Sequence, residues 1–522
     1  MKTFMNQFHD KVKGVISGWD RLAFRGTLRW LSNLAGLSSY LCSEKILLKD
    51  FSDWAQSLTG RLRHSCEDVA EGLGIRREYL RRSGEDKEAL ARAIAAEEGI
   101  EEGPICMLSA VEPSLSPTVV KNRESKRLEL AMRPRKCVWV YFYFNDPVVG
   151  FGHVRIESWL PFTIKGCLNG RHWLERSLMR EGGEYIKQGN CFRWLADPLR
   201  AQALADEQLR TDWPGLLGGF ATTYFPVMGE LLDHASLRYY WSADETEWAT
   251  DVMFQNTEEL DRLFPMLARH GLIVSDSASV MRYLGKISAE AALPVRVAGD
   301  VRGDRRRRYE GVCVKHQSEG NSVKMYNKAG NVLRVETTIR HTRAFKTFRC
   351  PNDDSNQEAR WLPTRKGVAD LERRSRLSQS SNERYLDTLA ACPADATFLE
   401  IVGEVCQPAS DQGRRVRALN PSAEADLNLL RFLAQGQWAL NGLRNRDLVA
   451  WLNPDAEKLT ASERRKAAQR ASRLLRLMRA HGLIRKVSKT HRYQVTPKGQ
   501  RVAALMISTS TVQAQELMQK AA

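Results

Sequence analysis

Two periodicities divide the chain. The segment KCVWVYFYF, residues 136–144, is apolar on both alternating faces, which predicts a strand covered on both sides. HVRIESW, residues 153–159, alternates instead, setting His153, Arg155 and Glu157 against Val154 and Ile156. Its polar face reads first as a solvated sheet surface and second as an active-site wall. NSVKMYNKAGNVLRVETTI, residues 321–339, is two short alternations joined through a Gly-containing turn, and predicts a hairpin. The N-terminal hundred or so residues follow the helical period. LLKDFSDWAQSLTGRLRHSCEDVAEGLG and DKEALARAIAAEEG both close on Gly, which accepts the left-handed backbone that ends a helix.

Between these landmarks, helices are expected over 168–235, and YYWSADETEWATDVMF reads as an aromatic, acidic connection. LDRLFPMLARHGLIVSDSASVMRYLG reads as helix, Gly stop, short strand and helix, and RGDRRRRYEGVCVKHQ as a basic loop entering a strand. The pattern predicts an α+β multidomain protein with N-terminal helices over 1–110 and a mixed α/β central body with a β-sheet over 111–406. A linker at 407–424, a C-terminal module at 425–507 and a tail at 508–522 complete it.

The C-terminal module is locally the clearest. In LTASERRKAAQRASRLLRLMRAHGLIRKVSKTHRYQVTPKG, Thr460 and Glu463 make a capping box and Gly482 ends the helix. Ala467, Ala471, Leu474, Leu475 and Met478 form one helix face, while Arg465, Gln469, Ser472, Arg476 and Arg479 form the other. A shorter amphipathic helix, NRDLVAWL, precedes it, and the strands LIRKV and RYQV follow around SKTH. This order resembles a winged helix-turn-helix domain, and LLRLMRAHGLIRKV…HRYQVTPKG is similar to the recognition-helix-to-wing passage of MarR-type bacterial proteins. The resemblance implies DNA as partner, with Arg465, Gln469 and Arg473 facing the major groove and Lys489, His491 and Arg492 on the wing. Arg464, Lys466 and Lys486 suit phosphate contact, and Arg476 continues the charged face.

Charge agrees with that partner. The chain carries 79 Lys and Arg against 62 Asp and Glu, a net +17, which favours nucleic acid before a membrane surface. Residues 440–501 alone hold 16 basic and 4 acidic residues. Ten cysteines without a Cys-x-x-Cys pair predict reduced, mostly buried thiols. The N-terminus lacks an apolar signal core and the longest apolar run is too short to span a bilayer, so a cytoplasmic protein is expected. No Gly-rich phosphate loop, zinc-ligand spacing or nucleophile elbow is present.

The hairpin supplies the candidate chemistry. If residues 328–330 form a three-residue loop with Gly330 left-handed, Lys324, Tyr326, Arg334 and Glu336 share one sheet face; a two-residue loop would separate them. A carboxylate among such cations suits phosphodiester chemistry, with Glu336 holding Mg²⁺ or Mn²⁺ and Lys324 and Arg334 contacting phosphate. The pattern Lys-x-Tyr-x-Lys, turn, Leu-Arg-x-Glu also resembles rolling-circle replication initiators of phages and plasmids, which nick DNA through a tyrosine. That resemblance implies Glu336 as metal ligand and Tyr385, in SNERYLDTL, as nucleophile. The His-hydrophobic-His motif of such nickases is absent; His316 flanks the hairpin as the second candidate ligand. The leading expectation is therefore a mobile-element or replication-initiation protein that nicks DNA with a metal. Alternatives are a non-enzymatic winged-helix regulator with a large sensing or homo-oligomerising body, and a two-metal transposase or nuclease using Asp244, Glu245, Glu247 and Asp251. RNA binding through Tyr141 and Tyr143 ranks behind these.

Overall fold

The computed structural model describes residues 1–234, 237–274, 280, 283–284, 301–308, 311–351, 356–390, 401–411, 413–420, 423–435, 438, 442–453, 455, 459–487 and 490–510. The expected α+β composition is found. Eleven strands form one mixed sheet: β1 (Val12–Thr27), β2 (Arg76–Leu80), β3 (Gly103–Lys121), β4 (Leu128–Asp146), β5 (Gly150–Glu157) and β6 (Ile164–Asn169) from the N-terminal half, then, after a separate hairpin of β7 (Tyr185–Gln188) and β8 (Cys191–Leu195), β9 (Tyr240–Phe254), β10 (Val301–Arg308), β11 (Gly311–Ser318), β12 (Asn321–Lys328) and β13 (Val332–Ile339). Their order is β10-β11-β12-β13-β9-β1-β6-β5-β4-β3-β2. β2 and β3 run parallel, whereas β3 to β6 pair antiparallel in succession.

Contacts divide the chain into two compact units. In the unit of Ile16–Ala249 and Thr338–Arg376, β4 is covered on both sides as its sequence predicts. Val140, Phe142 and Phe144 enter a core shared with α2 (Leu34–Ser43), α3 (Phe51–Gly72) and α7 (Trp213–Tyr224). Trp139, Tyr141 and Tyr143 face a second core under α4 (Lys87–Glu97). Tyr141 and Tyr143 are thus buried, which removes them as stacking platforms for RNA. The polar face of β5 is neither solvated nor an open wall: Arg155 lies 2.9 Å and Lys87 3.1 Å from Glu112, which also accepts from the Tyr141 hydroxyl.

Several elements differ from the sequence-based expectation; for β1 and β9 the reason is that a strand hidden among neighbours lacks a surface alternation. Helices are present in residues 1–110, but so is the sixteen-residue strand β1, whose middle is buried without interruption. The expected acidic connection after residue 239 is β9, another long and mostly buried strand. The predicted basic loop at 302–308 is part of β10, paired antiparallel with β11. Helices α5 (Gly170–Glu181), α6 (Pro198–Glu207), α7 and α8 (Pro226–His234) fill 168–235, with the β7–β8 hairpin between α5 and α6. Helix α9 (Thr257–Val274) passes through Gly271 instead of stopping there. The strand and second helix expected after it lie largely outside the described residues.

In the other unit, Met1–Val15, Thr250–Thr337 and Leu377–Ala522, the C-terminal module has its own core. Leu430, Leu433, Leu448, Ala471, Leu475, Met478, Ile484 and Val502 meet there. They come from α11 (Glu424–Ala434), α12 (Asn445–Leu452), α13 (Ala461–Ala480), the two-stranded β18 (Ile484–Lys486) and β19 (Tyr493–Val495), and α14 (Pro497–Ser510). Labels β14 (Lys346–Arg349), β15 (Arg360–Pro363), β16 (Ala409–Asp411) and β17 (Arg414–Val416) denote two small hairpins, and α10 (Leu371–Leu389) the helix between them. Residues 407–424, expected as a linker, contain the β16–β17 hairpin, and described residues among them make fixed contacts. Leu419 enters the module core, Arg417 grips Asp426 at 2.7 Å, and Asp411 binds Arg479 at 2.6 Å. The described cysteines are unpaired, and burial pushes the Cys66 thiol up to about 12. Among the described residues no helix is long and apolar enough to cross a membrane.

Candidate metal centre and nucleic-acid interface

β13, β9 and β1 are consecutive in the sheet, and each contributes one carboxylate. Asp20 of β1, Glu247 of β9 and Glu336 of β13 bring ligand oxygens within 4.8 Å of one another. Asp20 and Glu336 are buried and Glu247 partly so. Like charges this close, out of water, repel unless a cation or proton intervenes. An all-oxygen donor set suits a hard divalent ion of the Mg²⁺, Mn²⁺ or Ca²⁺ type, and the residues present therefore fit such an ion. Asp20 is aimed by Asn190 and Asn169, whose side-chain amides donate to its Oδ1 at 2.6 and 3.2 Å.

The hairpin carrying Glu336 has the face predicted for it. Its strands stop at Lys328 and resume at Val332, so residues 329–331 make the loop, one position later than expected. Ala329 and Gly330 are both left-handed, at φ 55° and 87°. Moving a three-residue loop by one position shifts each cross-strand pair by two, which keeps parity, and so the side chains still share a face. Lys324 Nζ lies 2.6 Å from Glu336 Oε1, and the Tyr326 hydroxyl donates to Glu336 Oε2 at 3.0 Å. The ammonium groups of Lys324 and Lys328 stand 5.7 and 5.6 Å from the centre of the Tyr326 ring.

Arg334 does something else. Its guanidinium grips Asp251 of β9 through 2.5 and 2.8 Å hydrogen bonds, with both side chains fully buried. A buried bidentate pair of this kind is architecture, and it takes the place of the phosphate contact expected of Arg334. The four acids expected as two-metal ligands also separate. Asp244 binds Arg25 at 2.7 Å, Glu245 binds Arg340, Asp251 binds Arg334, and only Glu247 joins the carboxylate group.

Tyr385 and His316 form a different pair. The Tyr385 hydroxyl lies 3.1 Å from His316 Nε2, and its ring meets Tyr283 edge-on with centroids 5.4 Å apart. Tyr385 is wholly buried on α10, and burial pushes its hydroxyl well above the ordinary tyrosine value. The hydroxyl of Tyr385 is thus engaged with His316, and Tyr385 is not among the side chains hydrogen-bonded to the carboxylate group in the way Tyr326 is. His316 is not in the carboxylate group; the side chains grouped with Glu336 are Asp20 and Glu247 instead. The signal for Asp20 was one acid inside the apolar run ISGWDRLAF, between buried Trp19 and Leu22. A carboxylate buried in such a run needs a compensating partner, which singles it out.

The C-terminal module presents a separate cationic surface. Thr460 and Glu463 form the predicted capping box, the Thr460 backbone N–H donating at 2.8 Å to the Glu463 carboxylate. The apolar face of α13 packs as expected, and Arg464, Arg465, Lys466, Gln469 and Arg473 are exposed along its first three turns. A groove of about 860 Å³ brings Gln469, Arg473, Lys486 and His491 together with Arg444 and Arg446. The last two precede and enter α12 and were missed; two arginines flanking a helix start were the available sign. Asn445 fixes α12 on α13 by donating to the Ala468 carbonyl and the Ser472 hydroxyl at 3.0 and 2.9 Å. Arg492 is half-buried beside the groove. Arg476 turns away from the expected DNA face toward Asp411, 3.4 Å off, and Lys489 lies outside the described residues.

Compared with known proteins, the chain matches no family model, no curated protein and no solved structure.

Proposed function

We propose that this protein binds DNA and cleaves one of its strands in a metal-dependent reaction of the kind that starts replication or transfer of a mobile element. The observation carrying the proposal is the Tyr326 hydroxyl, held 3.0 Å from Glu336 within a group of three carboxylates. The winged-helix reading of α12, α13 and the β18–β19 hairpin supports it, since their groove offers Gln469 and Arg473 to base edges and Arg444, Arg446 and Lys486 to phosphates.

Tyr326 takes the role the sequence reading gave Tyr385. Asp20, Glu247 and Glu336 would hold Mg²⁺ or Mn²⁺, which when bound supplies positive charge to a phosphate oxygen. Glu336 orients the phenol, accepts its hydrogen bond and takes its proton, with the Lys324 and Lys328 ammonium groups beside the ring. The phenolate oxygen then attacks phosphorus. A tyrosine–phosphate ester forms, the P–O3′ bond breaks, and the departing 3′-oxygen takes the proton that Glu336 received.

The test is full-length protein with Mg²⁺ or Mn²⁺ on a supercoiled plasmid carrying the DNA element that encodes it. Nicked circles and a covalent protein–DNA adduct are expected. EDTA, Glu336→Gln and Tyr326→Phe should each remove both products, with Tyr385→Phe retaining them. A wild-type protein that binds this DNA yet leaves it unnicked and adduct-free overturns the cleavage reading.

A further inference from the structure

The Ile16–Ala249 and Thr338–Arg376 unit contains a cleft of about 700 Å³ where the end of β1 and the start of β9 come together. Arg29 and Trp30 line it from the turn after β1, Tyr40 from α2, and Arg238, Tyr239 and Tyr240 from the approach to β9. These walls are anchored. The Arg29 guanidinium lies 3.6 Å over the Tyr240 ring, Tyr40 packs on Trp54 at 6.0 Å, and the Tyr239 hydroxyl donates to the Phe162 carbonyl at 2.8 Å. Trp30, by contrast, leaves 59% of its surface to solvent, the most exposed tryptophan but one among the described residues. Two guanidinium groups outnumber the single carboxylate at the lip, Glu44.

A large exposed indole beside a concave, cationic, aromatic-walled space has one ligand chemistry that uses all of its parts. A flat heteroaromatic ring stacks on the indole, and the negative charge linked to it meets the guanidinium groups. In a duplex the base faces are occupied by their neighbours, so the ring must be unpaired to enter. The position suits a strand that also reaches the acids: at about 3.3 Å per residue, the cleft lies roughly 25 Å along β1 and β9 from Asp20 and Glu247.

We propose that this cleft binds an unpaired nucleobase of single-stranded DNA, stacked on Trp30, with the adjoining phosphates paired to Arg29 and Arg238. The inference deepens the proposed function and rests on its premise that the chain acts on DNA. It assigns a place for strand melted or displaced near the cleavage point, whereas the α13 groove handles duplex.

The experiment uses full-length protein in EDTA, so that no cleavage occurs, with a fluorescein-labelled oligothymidylate and a duplex of equal length followed by fluorescence anisotropy. Trp30→Ala should weaken single-strand binding by roughly tenfold, the loss of one stacked base, while duplex affinity stays unchanged. Trp30→Phe, which keeps a stacking ring, should recover most of it, and Arg238→Ala should flatten the salt dependence. Equal single-strand affinity in wild type and Trp30→Ala overturns the proposal, as does displacement of the oligonucleotide by an equimolar amount of free thymidine monophosphate, which would make this a mononucleotide site. Failure of the cleavage reading looks different: strand binding through Trp30 persists, and no nicked product appears when Mg²⁺ is restored.

Discussion

Gly271 and Tyr385 show what a single atom decides. A Cβ placed on Gly271 would stand 2.8 Å from the Tyr385 hydroxyl oxygen, closer than real contacts allow, so α9 passes α10 only where it carries no side chain. Gly271→Ala gains about 1 kcal/mol of helix propensity and loses about 1–3 kcal/mol to overpacking. We expect net destabilisation in urea unfolding, and a Gly271→Ala/Tyr385→Phe double variant more stable than the sum of the single changes, because deleting the oxygen relieves the clash. Strict additivity would contradict the packing described. Nearby, buried His270 has its Nε2 3.1 Å from the Thr388 carbonyl, and burial pulls its pKa down to about 4. Below about pH 6.5 the unfolded chain takes up a proton that the native ring refuses until about pH 4. Stability is therefore lost as pH falls through that window, by up to about 3 kcal/mol from this residue, and His270→Gln should make the acid limb of a urea-midpoint profile shallower.

Legibility in the sequence follows how local each element's partners are. Helix α13 was readable to its cap, because its apolar stripe, Thr460, Glu463 and Gly482 lie within one short segment. Replacing Thr460 with Ala removes one side of the capping box, worth about 1 kcal/mol. The first turn carries Arg464, Arg465 and Lys466, so its fraying should also lower duplex affinity a few-fold in the same anisotropy assay, with Thr460→Ser restoring both. The hairpin face was readable too, since parity survives a one-residue error in the loop. β1 and β9 were not, because their partners are strands far away in the chain. A strand flanked on both edges and both faces presents no polar alternation, and the acids on β9 resemble a soluble loop until Arg25, Arg340 and Arg334 are seen against them. The surroundings of Tyr385 were not readable for the same reason: nothing in SNERYLDTL announces that its tyrosine packs against Tyr283 and His316.

At the scale of the molecule, the charge excess and the catalytic candidates occupy different stretches of chain. Residues 440–501 carry 16 basic and 4 acidic residues, whereas the carboxylate group draws on strands far upstream. On the proposed function, DNA binding and strand cleavage are therefore expected to respond separately to substitution. The acids also arrive at very different times during synthesis, at positions 20, 247 and 336 of 522. Contacts so distant in sequence form late, after the long intervening loops have closed. A ribosome must translate nearly two-thirds of the message before Glu336 exists, so the three carboxylates cannot assemble in an unfinished polypeptide released early; on the function proposed above, such a fragment is unarmed until the last central strand is threaded into its place.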